Sequence, residues 1–150
     1  MELENKSEIM QLFGKLFRAH PWHGIPVGNN FPDVLNVFVE IVPTDTVKYE
    51  IDKPTGFLKI DRPQRFSNVT PTVYGFIPQT FCGDRLASLC DYDEDGFTFK
   101  GDGDPLDICV LTEKTINQSG IILQAKPIGG IKLIDGNEVD DKIIAVLKDD

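Results

Sequence analysis

Histidine and cysteine are scarce in this chain. Two histidines, His20 and His23, and three cysteines, Cys82, Cys90 and Cys109, are all that its 150 residues contain. Three widely spaced cysteines without a C-x-x-C pair do not make a disulfide framework. The expected state is reduced thiols in a cytoplasmic protein. His20, His23, Cys82 and Cys90 could gather around zinc, but their spacing has no zinc-site regularity. No Ser-His-Asp signature is readable, and neither a Walker phosphate loop nor a kinase signature occurs. Apolar runs stay well below the ~18 residues that cross a membrane as a helix. The N-terminus lacks the basic start and small-residue cleavage site of a secretory signal. Basic residues are in deficit too: 15 Lys and Arg against 24 Asp and Glu leave a net charge of −9. That balance argues against a general basic surface for nucleic acid. It leaves phosphate substrates open, because bound divalent cations reverse the local sign.

What is present suits one domain over residues 1–150, with 41% apolar residues and ten Phe to build a core. Residues 7–18 carry the one clear helical pattern, Ile9, Met10, Leu12, Phe13, Leu16 and Phe17, with Ser7 as N-cap. His20-Pro21-Trp22-His23-Gly24 breaks it, and His20 and His23 read as capping or packing groups. An irregular arm runs on to residue 34. From residue 35 the pattern is short strands. Leu35 to Val42 is apolar on both faces except for Asn36 and Glu40. A carboxylate there must be paired, hydrogen-bonded or protonated. Val47 to Ile51 alternates, with Lys48 and Glu50 on one face. By itself that row fits a solvent face with an ion pair as well as anything else. Phe57 to Arg62 follows as a hairpin partner, with Leu58, Ile60 and Arg62 predicted on one face. Pro71 to Pro78 holds a further extended segment with Tyr74. Gly120 to Ile134 reads as a long strand, Asp135-Gly136-Asn137 as a turn, and Lys142 onward as a returning strand. Many short strands and one helix imply a small closed or semi-closed β-barrel.

The densest chemistry lies in Gly101-Asp102-Gly103-Asp104-Pro105-Leu106-Asp107. Three carboxylates fall within six residues, and Gly103 and Pro105 favour a bend that lets them converge. Converging anions of oxygen-only character call for Mg²⁺, Mn²⁺ or Ca²⁺. Ile108-Cys109-Val110-Leu111 reads as a buried strand that anchors the cluster. Residues 82–101 look like an insertion. Within them Asp91 to Asp102 nearly matches an EF-hand loop, but no amphipathic helices flank it and Phe97-Thr98-Phe99 reads as strand. The carboxylates Asp102, Asp104, Asp107, Asp135, Asp140 and Glu40, with Lys48, Arg62, Lys142 and the hydroxyl of Tyr74, supply what metal-assisted phosphoryl transfer to water requires.

Asp102-Gly103-Asp104-Pro105-Leu106-Asp107 resembles the signature of the soluble family I inorganic pyrophosphatases. Val39-Glu40-Ile41, Val47 to Asp52, Asp61-Arg62, Tyr74 to Pro78, Pro127-Ile128-Gly129 and Asp135 to Lys142 follow in the family's order. The resemblance spans about residues 35 to 148. It implies a mainly β fold, an OB-like five-stranded β-barrel with an N-terminal helix, and hydrolysis of pyrophosphate to two orthophosphates. Mg²⁺ would be the cofactor, Mn²⁺ its substitute and Ca²⁺ an inhibitor. By position, Asp102, Asp107 and Asp140 resemble the principal metal ligands and Asp135 a ligand for substrate-associated metal. Asp104 resembles the acceptor of the water proton. Lys48, Arg62, Tyr74 and Lys142 resemble the phosphate-holding set. Glu40, with Glu50, would stand behind the metals and orient their water, and the Lys48/Glu50 row would face the cavity.

Family members usually continue for tens of residues, with a helix and a Tyr-Lys pair that helps hold phosphate, whereas this chain stops at Asp149-Asp150. The expectation is a shortened chain or an incomplete leaving-phosphate site, with apolar barrel surface exposed. Thr70 stands before Pro71 where the family often has an aromatic residue. Assembly as a homo-oligomer is expected of the full-length chain. Two other readings are a non-catalytic Ca²⁺- or Mg²⁺-binding β-barrel module built on Asp91–Asp102, and an OB-type oligonucleotide binder. The acidic balance and scarce aromatic-basic interleaving count against the latter.

Overall fold

The computed structural model describes residues 8, 9, 12, 13, 17–65, 69–90 and 98–150. Among the described residues ten strands follow one another: β1 Leu35–Ile41, β2 Val47–Ile51, β3 Leu58–Pro63, β4 Val73–Phe76, β5 Lys100–Gly101, β6 Asp107–Leu111, β7 Ile122–Ile131, β8 Ile134–Asp135, β9 Glu138–Val139 and β10 Lys142–Leu147. Five close a barrel, as expected from the sequence, and their order is β1-β4-β6-β10-β7. The β6–β10 pair is parallel and the other four are antiparallel. β2 and β3 form a separate hairpin, and β5, β9 and β8 a small three-stranded sheet.

Strand alternation sorts side chains between the barrel's inside and its outer wall. Val37, Val39, Val73, Ile108, Val110, Ala125 and Ala145 fill the interior. The opposite faces of β1 and β4 carry Phe38 and Phe76, whose rings lie 5.3 Å apart. They join Trp22, Ile25 and Ile51 in a second core on the outer wall. β1 is therefore apolar on both faces because the 20–25 arm and the hairpin cover its outside.

Close approach of β1 and β4 depends on Gly75, paired with Val39. A Cβ there would lie 1.9 Å from the Phe38 carbonyl oxygen. Gly75→Ala is expected to push the strands apart and cost about 1–3 kcal/mol, measured as a lower urea midpoint. An unchanged midpoint would show that β1 yields freely.

Several sequence expectations need correction. β6 is not buried throughout: Ile108 and Val110 point inward, while Cys109 is half-buried and Leu111 exposed. An apolar run alone does not tell one covered face from two. Ile60 is 62% exposed, so Leu58, Ile60 and Arg62 do not form a core-facing row. A bulge opposes Lys48 to Arg62 and Tyr49 to Ile60, leaving Asp61 as the extra residue and breaking the alternation. The long strand expected to reach Ile134 ends at Ile131. Thr98 and Phe99 are not strand, while Asp84–Ala87 forms a short helix that the sequence did not suggest. Of the expected N-terminal helix, residues 8, 9, 12 and 13 are helical. Ser7, Met10 and Leu16 lie outside the described residues, as do Asp91–Asp95 of the EF-hand-like loop.

Candidate active site

The acidic stretch bends where Gly103 and Pro105 predict. Gly103 has φ 79°, a conformation that favours glycine. The Asp104 amide donates to Asp102 Oδ1 at 2.9 Å, closing the turn. Cys82 braces this loop from behind: its amide donates to the Asp104 carbonyl at 2.7 Å, and its carbonyl accepts from Gly103 N at 2.9 Å. Gly101 passes so near that a Cβ would lie 2.2 Å from the Cys82 carbonyl oxygen. Asp107 opens β6, so the cluster is anchored at the start of a barrel strand, as expected.

Outward positions on neighbouring strands complete the site. Tyr74 on β4, Asp107 on β6 and Lys142 on β10 all point away from the core, and Lys142 is the register partner of Asp107. Tyr74 donates its hydroxyl to Asp107 Oδ2 at 2.5 Å. The Lys142 ammonium meets Asp107 Oδ2 and lies 2.6 Å from Asp140 Oδ1. It also stands 5.6 Å from the centre of the Tyr74 ring. Burial works against the Lys142 charge, but Asp107 and Asp140 outweigh it and raise its pKa. Burial, then the neighbouring Asp107, raises the Tyr74 phenol far above its ordinary range, so it remains a donor.

Glu40 sits at a bulge in β1 between Val39 and Ile41, which turns it toward β2. Its Oε1 accepts from the Ile51 amide at 2.8 Å. It is 6% exposed. Burial pushes its pKa up to about 8, against the Ile51 hydrogen bond and with help from Asp107 and Glu50. The anomaly read from the sequence is thus met by a hydrogen bond and a neutral carboxyl group. Burial raises Asp102 as well, and the Asp104 and Asp107 carboxylates add to it.

All eleven residues singled out in the sequence line one cavity of about 360 Å³: Glu40, Lys48, Glu50, Arg62, Tyr74, Asp102, Asp104, Asp107, Asp135, Asp140 and Lys142. The Lys48/Glu50 row faces the cavity, with Lys48 Nζ 3.9 Å from Glu50 and 3.5 Å from Asp61. Lys53 and Glu138 line it too, and sequence reasoning missed both. Lys53 follows β2 in a turn, off the alternating row. Glu138 lies on a two-residue strand beside Asp135 and pairs with Lys100 at 3.0 Å. Nearness to Asp135 across a tight turn was the one available signal. An apolar groove of about 700 Å³ adjoins the cavity, walled by Cys109, Leu111, Ile131 and Ile144, and shares Lys48, Arg62, Tyr74 and Lys142 with it.

Eight carboxyl groups and four cationic side chains share the cavity. That excess of hard oxygen donors, without imidazole or thiolate, suits a divalent cation such as Mg²⁺. Among the described residues, no three His, Cys, Asp or Glu side chains converge closely enough to hold a metal as they stand. Mutual repulsion keeps carboxylates apart, and Lys142 stands as a cation between two of them. The donor set therefore fits a metal once the side chains draw together around it. His20, His23, Cys82 and Cys90 take no part in the cavity wall.

The model of the family described as "Pyrophosphatase: Inorganic pyrophosphatase" matches residues 37–150. The inorganic pyrophosphatase of Chlamydia trachomatis serovar L2 is 55% identical over 132 residues, covering 88% of this chain and 63% of the relative. The soluble inorganic pyrophosphatase of Zea mays is 40% identical over 146 residues, or 97% of this chain and 59% of that one. The chain thus spans about three fifths of the length of these curated relatives. A crystal structure of inorganic pyrophosphatase from Thermus thermophilus superposes with a TM-score of 0.70 at 29% identity, covering 88% of this chain and 64% of the other.

Proposed function

The chain belongs to the inorganic pyrophosphatase family, and we propose that it hydrolyses pyrophosphate to two orthophosphates with Mg²⁺ as cofactor. The observation that carries this reading is the single cavity in which metal-suited carboxylates and anion-binding cations face one another. Asp102, Asp107 and Asp140 would hold the principal metal ions and Asp135 a further one that accompanies the substrate. A bound divalent cation neutralises phosphate charge and makes water more acidic.

The protein's own groups do the rest. Water oxygen bonds to one phosphorus, the bridging P–O bond breaks, and Asp104 accepts the water proton. Arg62 and Lys48 bind oxygens of the phosphoryl groups, Arg62 through its planar fork. Tyr74 remains protonated and donates. Lys142, held cationic by Asp107 and Asp140, would be free to meet a phosphate oxygen wherever those carboxylates hold metal. Glu40 and Glu50 orient water from behind the metal ligands. Mn²⁺ as substitute, Ca²⁺ as inhibitor, homo-oligomeric assembly and a cytoplasmic location complete the proposal on the strength of the family alone. Among the described residues no helix is long and apolar enough to cross a membrane.

The test is phosphate release from pyrophosphate, with Mg²⁺ and after chelation by EDTA. Release that requires Mg²⁺ and disappears in EDTA is expected. Absence of release from the folded chain at saturating Mg²⁺ would sink the proposed activity.

A further inference from the structure

We propose that Lys53 is a positioning residue for Asp104, and that the His20–Trp22 arm sets where Lys53 stands. The inference rests on the reading of Asp104 as proton acceptor in pyrophosphate hydrolysis. A lysine in a hairpin turn ordinarily extends into solvent. Lys53 instead lines the cavity, and its ammonium meets Asp104 Oδ1. The contact with Asp104 raises the Lys53 pKa, so the ammonium stays charged at neutral pH. Both side chains are nearly half-exposed, at 48% and 43%. A pair that open gains little by itself, so its value depends on how its two ends are held.

The arm holds both ends. His20 Nε2 donates to the Lys53 carbonyl at 2.8 Å. The other ring nitrogen accepts from Trp22 N at 3.2 Å and His23 N at 3.3 Å, which leaves the proton on Nε2. Gly56, at φ +75°, packs so tightly on the arm that a Cβ would lie 2.8 Å from Pro21 Cδ. On the other side, Trp22 Nε1 donates to the Thr80 carbonyl at 2.7 Å, and Trp22 O accepts from Gln79 N at 2.8 Å. Thr80 Oγ1 in turn accepts from Leu106 N at 2.9 Å, inside the acidic stretch. One segment thus straps the turn that carries Lys53 to the loop that carries Asp104. Asp104 lies on a bend, where its carboxylate could rotate. Small errors in the placing of a base are costly to rate.

The competing role is direct contact of Lys53 with substrate phosphate, and the two part in kinetics. Lys53→Met should lower kcat for Mg²⁺-pyrophosphate about tenfold and leave KM within about twofold, and Lys53→Arg should recover most of that loss. In an Asp104→Asn background, Lys53→Met should bring no further loss, because its only route is through Asp104. His20→Ala should give a smaller fall in kcat that also vanishes beside Lys53→Met. A rise in KM at unchanged kcat, or an undiminished loss in the Asp104→Asn background, would overturn the proposal. The same Lys53–Asp104 cycle read as urea midpoints without substrate should be non-additive. Additive midpoints would remove the contact itself. If the unsubstituted chain releases no phosphate, the proposed activity fails, while the midpoint cycle still decides the pair.

Discussion

Asp104→Asn is expected to lower kcat for pyrophosphate hydrolysis by about a thousandfold, with KM changed only a few-fold. General base catalysis commonly contributes about 10²–10⁴-fold, and a thousandfold is ~4 kcal/mol of barrier. The substitution keeps the shape of the side chain. It also keeps the loop, because the contacts of residue 104 with Cys82 and Asp102 run through its backbone carbonyl and amide. What it removes is the capacity to take a proton and the charge that meets Lys53. Initial rates of phosphate release at saturating Mg²⁺, across a range of pyrophosphate concentrations, measure both constants. A loss below tenfold would assign the proton to another group. Asp102→Asn and Asp107→Asn should differ in kind, raising the Mg²⁺ concentration needed for half-maximal rate.

The stability of the metal-free protein should fall as pH rises from about 5 to about 8, and Glu40→Gln should remove most of that fall. Burial holds the folded-state pKa of Glu40 near 8, above its usual 4.5. Between those values the folded chain keeps a proton that the unfolded chain releases. Stability therefore decreases with pH across the window and levels off above the folded pKa. Each pKa unit corresponds to about 1.4 kcal/mol, so the full excursion is on the order of 3–5 kcal/mol. Gln can accept the Ile51 amide as Glu40 does and never carries the charge. Urea unfolding in EDTA at several pH values, for both proteins, isolates the contribution from the repulsion of a chain with net charge −9. Parallel curves would show that Glu40 is not the group responsible.

Much of the site was legible because its chemistry is local. Asp102, Asp104 and Asp107 lie within six residues, and Gly103 and Pro105 determine their bend by backbone sterics alone. Asp135 and Asp140 flank a turn whose Gly136 adopts φ 64°. The ordered motifs from Val39 to Lys142 then tied these pieces to one family. Less legible were residues whose position depends on irregularities. A bulge turns Glu40 toward β2, and another leaves Asp61 unpaired in the hairpin register, so plain alternation does not carry from Ile60 to Arg62. Lys53 and Glu138 enter the cavity from turns or very short strands, where no period constrains direction.

By itself, the sequence determined the barrel class, the acidic bend and most of the charged set, since strand period, turn sterics and residue chemistry act over a few positions. Only the tertiary structure decided that the site lies on the barrel's outer wall. Closure of β1-β4-β6-β10-β7 sends Val37, Ile108 and Ala145 inward, and the strand period then forces Tyr74, Asp107 and Lys142 out to one side. Tertiary structure alone also joined His20 to the Lys53 carbonyl and Trp22 to the Thr80 carbonyl, because those contacts link segments more than thirty residues apart.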